Sequence, residues 1–146
     1  VKVLLDTNVL LRLAVVSHPT HAEAVAAVYR IRQRGDQPAI VPQVLYEYWV
    51  VATRPTSQNG LGLSTVEARL AIDEFLKSIV LLRDERGIFT NWLAEVTNLA
   101  ISGKRAHDAR LVAAMQRHEL QQIVTFNKSD FAGFQGIAVF LPGEVA

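Results

Sequence analysis

Short apolar runs without a period of two, each followed by a stretch of helical character, constrain this chain more than any other feature. The runs are Val1–Leu5, Pro38–Val41, Ile79–Leu82, Ile123–Thr125 and Ile137–Phe140. Strands buried on one face alternate apolar and polar residues, whereas strands covered on both faces read as continuous apolar runs. Between them lie helical stretches over residues 20–34, 42–54, 64–77, 85–100 and 106–118. Thr20-His21-Ala22-Glu23 and Ser64-Thr65-Val66-Glu67 have the spacing of capping boxes. Gly35 suits the end of the first of these helices and Pro42 the first turn of the next. Residues 55–63 form the longest loop, with its turn at Asn59-Gly60. Strands alternating with helices specify an α/β chain: a three-layer α/β/α sandwich around a mainly parallel central sheet.

At 146 residues, half of them hydrophobic, the chain suits a single domain over residues 1–146. Fifteen Lys and Arg against fourteen Asp and Glu leave a formal charge of +1. A histone-like binder is thereby excluded, and any contact with nucleic acid has to come from a local patch. The chain has no cysteine. Disulfide scaffolds, cysteine-ligated zinc and thiol catalysis fall away with it, and a reducing cytoplasm is the compartment that suits it. No apolar run approaches the ~20 residues that span a bilayer, and the start of the chain turns acidic too soon for a signal peptide. Neither a membrane partner nor export is expected.

Open parallel sheets gather their sites beyond the carboxyl ends of the strands. Four acids stand where such a site could collect them. Asp6 ends the first strand, Asp108 opens the helix that feeds a late strand, and Asp130 sits in the loop leaving that strand. Glu47 lies in the helix after the second strand, within a strongly apolar stretch where a lone carboxylate is hard to keep dry. Carboxylates gathered at one rim repel, each raising its neighbours' pKa until protons or cations neutralise the group. Hard divalent cations suit such oxygens, and Mg²⁺ takes one or two carboxylates together with substrate phosphate. The expected activity is therefore metal-dependent phosphodiester chemistry, with Mg²⁺ or Mn²⁺ as cofactor.

Leu4-Leu5-Asp6-Thr7-Asn8-Val9-Leu10-Leu11, the mid-chain Glu47, His107-Asp108-Ala109 and Thr125-Phe126-Asn127-Lys128-Ser129-Asp130-Phe131 together resemble the PIN-domain ribonucleases. The likeness is greatest to the VapC-type toxins of bacterial toxin–antitoxin pairs. It extends from Leu4 to the last strand. The resemblance implies an endoribonuclease that hydrolyses RNA by metal-activated water, leaving a 5′-phosphate and a 3′-hydroxyl. Asp6, Glu47, Asp108 and Asp130 match the family's acidic quartet, with Asp6 and Asp108 as the firmest metal ligands. Asn8, Thr125 and Asn127 match polar positions that orient those carboxylates. The resemblance further implies a homodimer and a small cognate antitoxin protein that covers the acidic site; the helices beside residues 55–63 are the candidate surface for it.

RNA has to approach through positive charge, and Lys104, Arg105 and Arg110 flank Asp108, Lys128 lies within the Asn127–Asp130 loop, and Arg12 follows the first motif. Tyr46, Tyr48 and Trp49 around Glu47 read either as core or as a stacking surface for an unpaired base. His18 and His21 stand three apart without a third ligand, and His107 adjoins Asp108. Two rival readings start from the same strand-ending Asp6. An aspartyl-phosphate phosphatase needs a proton-transferring acid two residues on, where this chain has Asn8. A receiver-like phosphoacceptor or binding module needs only Asp6.

Overall fold

Five short strands, β1 (Lys2–Leu5), β2 (Gln37–Ile40), β3 (Val80–Leu81), β4 (Gln122–Val124) and β5 (Ala138–Phe140), pair in parallel throughout a computed structural model that describes all 146 residues. Their order is β3-β2-β1-β4-β5. Leu4 stands opposite Ala39 on one side and Ile123 on the other, which makes β1 the central strand. Val3, Leu4 and Leu5 are all fully buried, so successive side chains on opposite faces of the sheet are both covered. The same holds for Ala39 and Ile40 and for Ile123 and Val124. Helical layers on both faces, the sandwich read from the sequence, account for this burial.

Six helices supply those layers: α1 (Thr7–Ala14), α2 (His21–Gln33), α3 (Pro42–Thr53), α4 (Thr65–Ser78), α5 (Arg86–Asn98) and α6 (Arg105–Arg117). Parallel strands need such crossovers, because a tight hairpin cannot reverse the chain twice. Helix α6 is the most deeply set, with Leu111 through Met115 buried without a break. Chain order reverses between β1 and β4, and that reversal opens a crevice at their carboxyl ends. Asp6 and Thr125 are the first residues beyond those two ends.

The two expected capping boxes have different fates. At Ser64 the box forms: its hydroxyl accepts from the Glu67 amide, and Glu67 accepts from the Ser64 amide, both at 3.1 Å. At Thr20 it does not. The Thr20 hydroxyl lies 3.0 Å from His18 Nδ1 instead, and Glu23 stays exposed. A preceding histidine within reach outcompetes the helix for that hydroxyl. Replacing Ser64 with Ala is expected to cost ~0.5–2 kcal/mol, read as a lowered thermal midpoint with unchanged far-ultraviolet circular dichroism.

The loop after α3 is more ordered than its composition suggests. Asn59 takes the left-handed conformation, and the amides of Leu61, Gly62 and Leu63 return to the carbonyls of Val51, Arg54 and Ala52. This satisfies the carbonyls that the end of a helix leaves open. A Cβ at Gly60 would stand 1.9 Å from the Arg54 carbonyl oxygen, so this close approach requires glycine. The third strand is shorter than expected, two residues rather than four, because it pairs only with β2 at the sheet edge. No helix is long and apolar enough to cross a membrane.

Candidate active site

Asp6 is buried at the carboxyl end of the central strand, where β1 hands over to α1. One of its oxygens accepts from the Thr7 amide at 2.7 Å, the other from the Thr125 hydroxyl at 2.8 Å and the Asn8 amide at 3.4 Å. Asn8 also donates to the Thr125 hydroxyl at 3.0 Å, and its own carbonyl oxygen accepts from the Phe126 amide. The Asn127 amide N–H donates to the same Thr125 hydroxyl. Two strand ends that are adjacent in the sheet, though 119 positions apart in sequence, are thus sewn together around one carboxylate. The Asn127 side chain itself is exposed; its contribution to this network comes from the backbone.

Glu47 comes from α3 and is held from two directions. The Thr7 hydroxyl donates to Oε2 at 2.8 Å, and the Gln43 amide donates to Oε1 at 2.9 Å. Gln43 is buried, one turn before Glu47, and donates a second hydrogen bond to the His107 carbonyl. Its own carbonyl oxygen accepts from Arg110. Gln43 therefore joins α3 to the first turn of α6, the turn that carries Asp108. The Asp6-Thr7-Asn8 turn places the polar group of Thr7 at the rim in sequence, whereas Gln43 goes unmarked there. A signal for Gln43 exists: it sits four residues before Glu47, the spacing at which helical side chains meet.

Asp108 lies part-buried in the first turn of α6, and Asp130 is exposed in the 3-10 turn at Lys128–Phe131. Burial, followed by the charges of Asp130, Asp6 and Glu47, pushes Asp108 up from the ordinary carboxylate value to about 6. Burial also raises Asp6, against the hydrogen bonds from Thr125 and Thr7, and the charges of Glu47 and Asp130 add to the rise. Each of the four carboxylates thus lies within charge reach of others, and four separate elements deliver them to one rim. They do not form a closed cage: no three His, Cys, Asp or Glu side chains meet around a common point. An open rim with hard oxygen donors and raised proton affinity fits a cation that keeps most of its waters, as Mg²⁺ does, better than a preformed cage.

A family profile described as "PIN domain" matches residues 2–129. The chain belongs to the PIN-domain family. Solved structures share the fold of this PIN domain. A toxin–antitoxin complex from Klebsiella pneumoniae matches with 24% identity and a TM-score of 0.62, over 98% of this chain and 99% of that one. VapBC-1 from nontypeable Haemophilus influenzae matches with 14% identity and a TM-score of 0.72, over 97% and 98%. Mycobacterium tuberculosis VapC20, described as a sarcin–ricin loop cleaving toxin, matches with 17% identity and a TM-score of 0.64, over 92% and 98%. Among curated proteins, none matches the sequence.

The basic residues around the rim of this PIN domain divide by what they touch. Lys128 pairs with Glu144 at 3.0 Å. Arg105 donates to the Ala132 carbonyl and lies 5.4 Å from the Phe134 ring centre. Arg110 bridges Gln43 and Asp84, and Arg12 faces the Phe126 ring. Lys104 is exposed at the start of α6. The histidine pair is spent on local structure: His21 Nδ1 donates to the Arg12 carbonyl, and His18 Nδ1 accepts from the Thr20 amide. The aromatic trio separates as well. Tyr48 is fully buried edge-on against Phe75, Trp49 is half-buried, and Tyr46 is exposed.

Proposed function

We propose that this PIN domain is a Mg²⁺- or Mn²⁺-dependent endoribonuclease and the toxin of a toxin–antitoxin pair in the bacterial cytoplasm. The observation that carries the reading is the gathering of four carboxylates from four separate elements, Asp6, Glu47 and Asp130 standing close enough to Asp108 for each charge to bear on it. A site built only to complement a helix dipole has no use for Asp6, Glu47 and Asp130 beside it. Asp6 and Asp108 would hold the ion most directly, with Glu47 and Asp130 beside them. When bound, the ion supplies Lewis-acid charge for the phosphodiester and a more acidic water as nucleophile.

The protein's own share is orientation. Thr125, Asn8 and the Thr7 amide fix both oxygens of Asp6, and Thr7 and Gln43 fix both oxygens of Glu47. Carboxylates held this way need no reorganisation as charge develops on the phosphate. Asp130, exposed and within charge reach of Asp6 and Asp108, would complete a second metal position or hold metal-bound water together with Glu47. An antitoxin, with a cationic side chain, would satisfy the same carboxylates that a metal does. The similarity to toxin–antitoxin complexes supports that partner, and a homodimer is expected with it.

The test is direct. Labelled single-stranded RNA should be cut in Mn²⁺ or Mg²⁺, left whole in excess chelator, and cut again when the ion is restored. Full cleavage in chelator would refute the metal reading. A stable acyl-phosphate on Asp6 after incubation with a phosphodonor, without cleavage, would favour the phosphatase or receiver-like alternatives.

A further inference from the structure

Beside the acidic rim, Gln43, Tyr46, Glu47, His107 and Arg110 enclose an open cavity of about 460 Å³. That size lies within the roughly 300–1,000 Å³ of pockets that take small organic groups. Two of its walls are the immediate chain neighbours of acids already described, Tyr46 beside Glu47 and His107 beside Asp108. We infer that this cavity holds the unpaired nucleotide next to the phosphate at the acidic rim, its base stacked on the Tyr46 ring. The inference rests on the nuclease reading for the chemistry at the rim, but not for the pocket itself.

Three observations carry it. Tyr46 is 64% exposed although Leu45 and Tyr48, its neighbours in α3, are in the core; nothing inside the protein requires a tyrosine there. The floor is rigid, because the Gln43 amide is consumed by Glu47 and the His107 carbonyl and its oxygen by Arg110. Arg110 spends two N–H groups on Gln43 and Asp84 out of the five that a guanidinium carries, which leaves donors for a phosphate or a base edge. An aromatic face next to a cation is the recurring platform for single-stranded nucleic acid.

A protein surface is the competing occupant, since Val50, one turn further along α3, is also exposed. The lining favours the nucleotide, because it sets the exposed Tyr46 ring and the Arg110 guanidinium in one cavity whose walls continue into the acidic rim through Glu47.

The test measures the affinity of fluorescently labelled single-stranded RNA with Mn²⁺ present, in an Asp6→Asn background that spares the RNA. Tyr46→Ala is expected to raise Kd about tenfold or more, Tyr46→Phe to restore most of the affinity, and Val50→Ala to change nothing. Because the ring is exposed, Tyr46→Ala should melt with the parent. An abasic position walked along the RNA should weaken binding at one place in the parent and not weaken it further in Tyr46→Ala. Parent-like affinity in Tyr46→Ala, or losses that simply add in the abasic series, would overturn the pocket and return Tyr46 to a protein contact. RNA that binds through Tyr46 but is never cut by the wild type leaves the pocket standing and removes the nuclease. RNA that is cut normally by Tyr46→Ala removes the pocket alone, and a wild type that neither binds nor cuts removes both.

Discussion

Replacing Asp6 with Asn is expected to slow RNA cleavage by about a thousandfold while the protein keeps its fold. At 1.36 kcal/mol per decade, that is the several kcal/mol a correctly held metal contributes to charge stabilisation. The fold survives because asparagine has the shape of aspartate and keeps one carbonyl oxygen to accept from the Thr7 amide or the Thr125 hydroxyl. Removing a buried charge also relieves the desolvation that raises Asp6. Single-turnover cleavage of one labelled RNA, with thermal melting of the same preparation, separates the two effects. Near-wild-type cleavage by well-folded Asp6→Asn protein would show that the acidic rim is not where the chemistry occurs.

The fold was readable because its signals are local. Continuous apolar runs announce strands covered on both faces, and each of the five runs contains most of one strand, with β2 and β4 starting one residue early at Gln37 and Gln122. Pro42 at the start of α3 and Ser64 capping α4 act through neighbours three or four residues away, so sequence alone exposes them. Thr20 departs from its pattern for the same reason in reverse, since a capping-box spacing takes no account of a histidine two residues upstream. The site was legible as types of residue but not as a network. Asp6, Asp108 and Asp130 stand at element ends that any parallel sheet brings toward one rim. Glu47 stands inside a helix, and what ties it to Asp6 is the Thr7 hydroxyl reaching across 40 positions. No pattern along the chain encodes such a contact. Nor does a pattern reveal which basic residues are already engaged: Lys128 and Arg105 look available to RNA in sequence, yet each is partnered in space. The three aromatic residues around Glu47 were separable only once the facing of α3 was known.

Metal-free protein carrying Asp108→Asn is expected to melt higher than the wild type at pH 7, and equally at pH 4. The folded protein holds the Asp108 proton up to about 6, whereas the ordinary value is 3.8. Between those values the native state binds more protons than the unfolded state, so this group's contribution to stability falls as the pH rises. The loss is complete above about 6, where the carboxylate is ionised beside Asp130, Asp6 and Glu47. The shift corresponds to ~3 kcal/mol at face value. Asp108 is only part-buried, and solvent screening reduces this to about 1–2 kcal/mol. For a chain of this size, that is a thermal midpoint higher by roughly 3–8 °C at pH 7. Asp6 is shifted in the same direction and reinforces the trend in the wild type. Asp36, Glu67, Glu85 and Glu144 are held low by their partners, so their contribution starts to fade only below the ordinary carboxylate values, and it fades equally in both proteins. Mn²⁺ should invert the order. A ligand that binds only the folded state stabilises it in proportion to the logarithm of its concentration over Kd, and the ionised Asp108 is what it binds. Wild-type protein should therefore gain more from millimolar Mn²⁺ at pH 7 than Asp108→Asn does. Equal midpoints without metal would mean that Asp108 does not feel the other three carboxylates, and equal gains with it that Asp108 shares no ion with them.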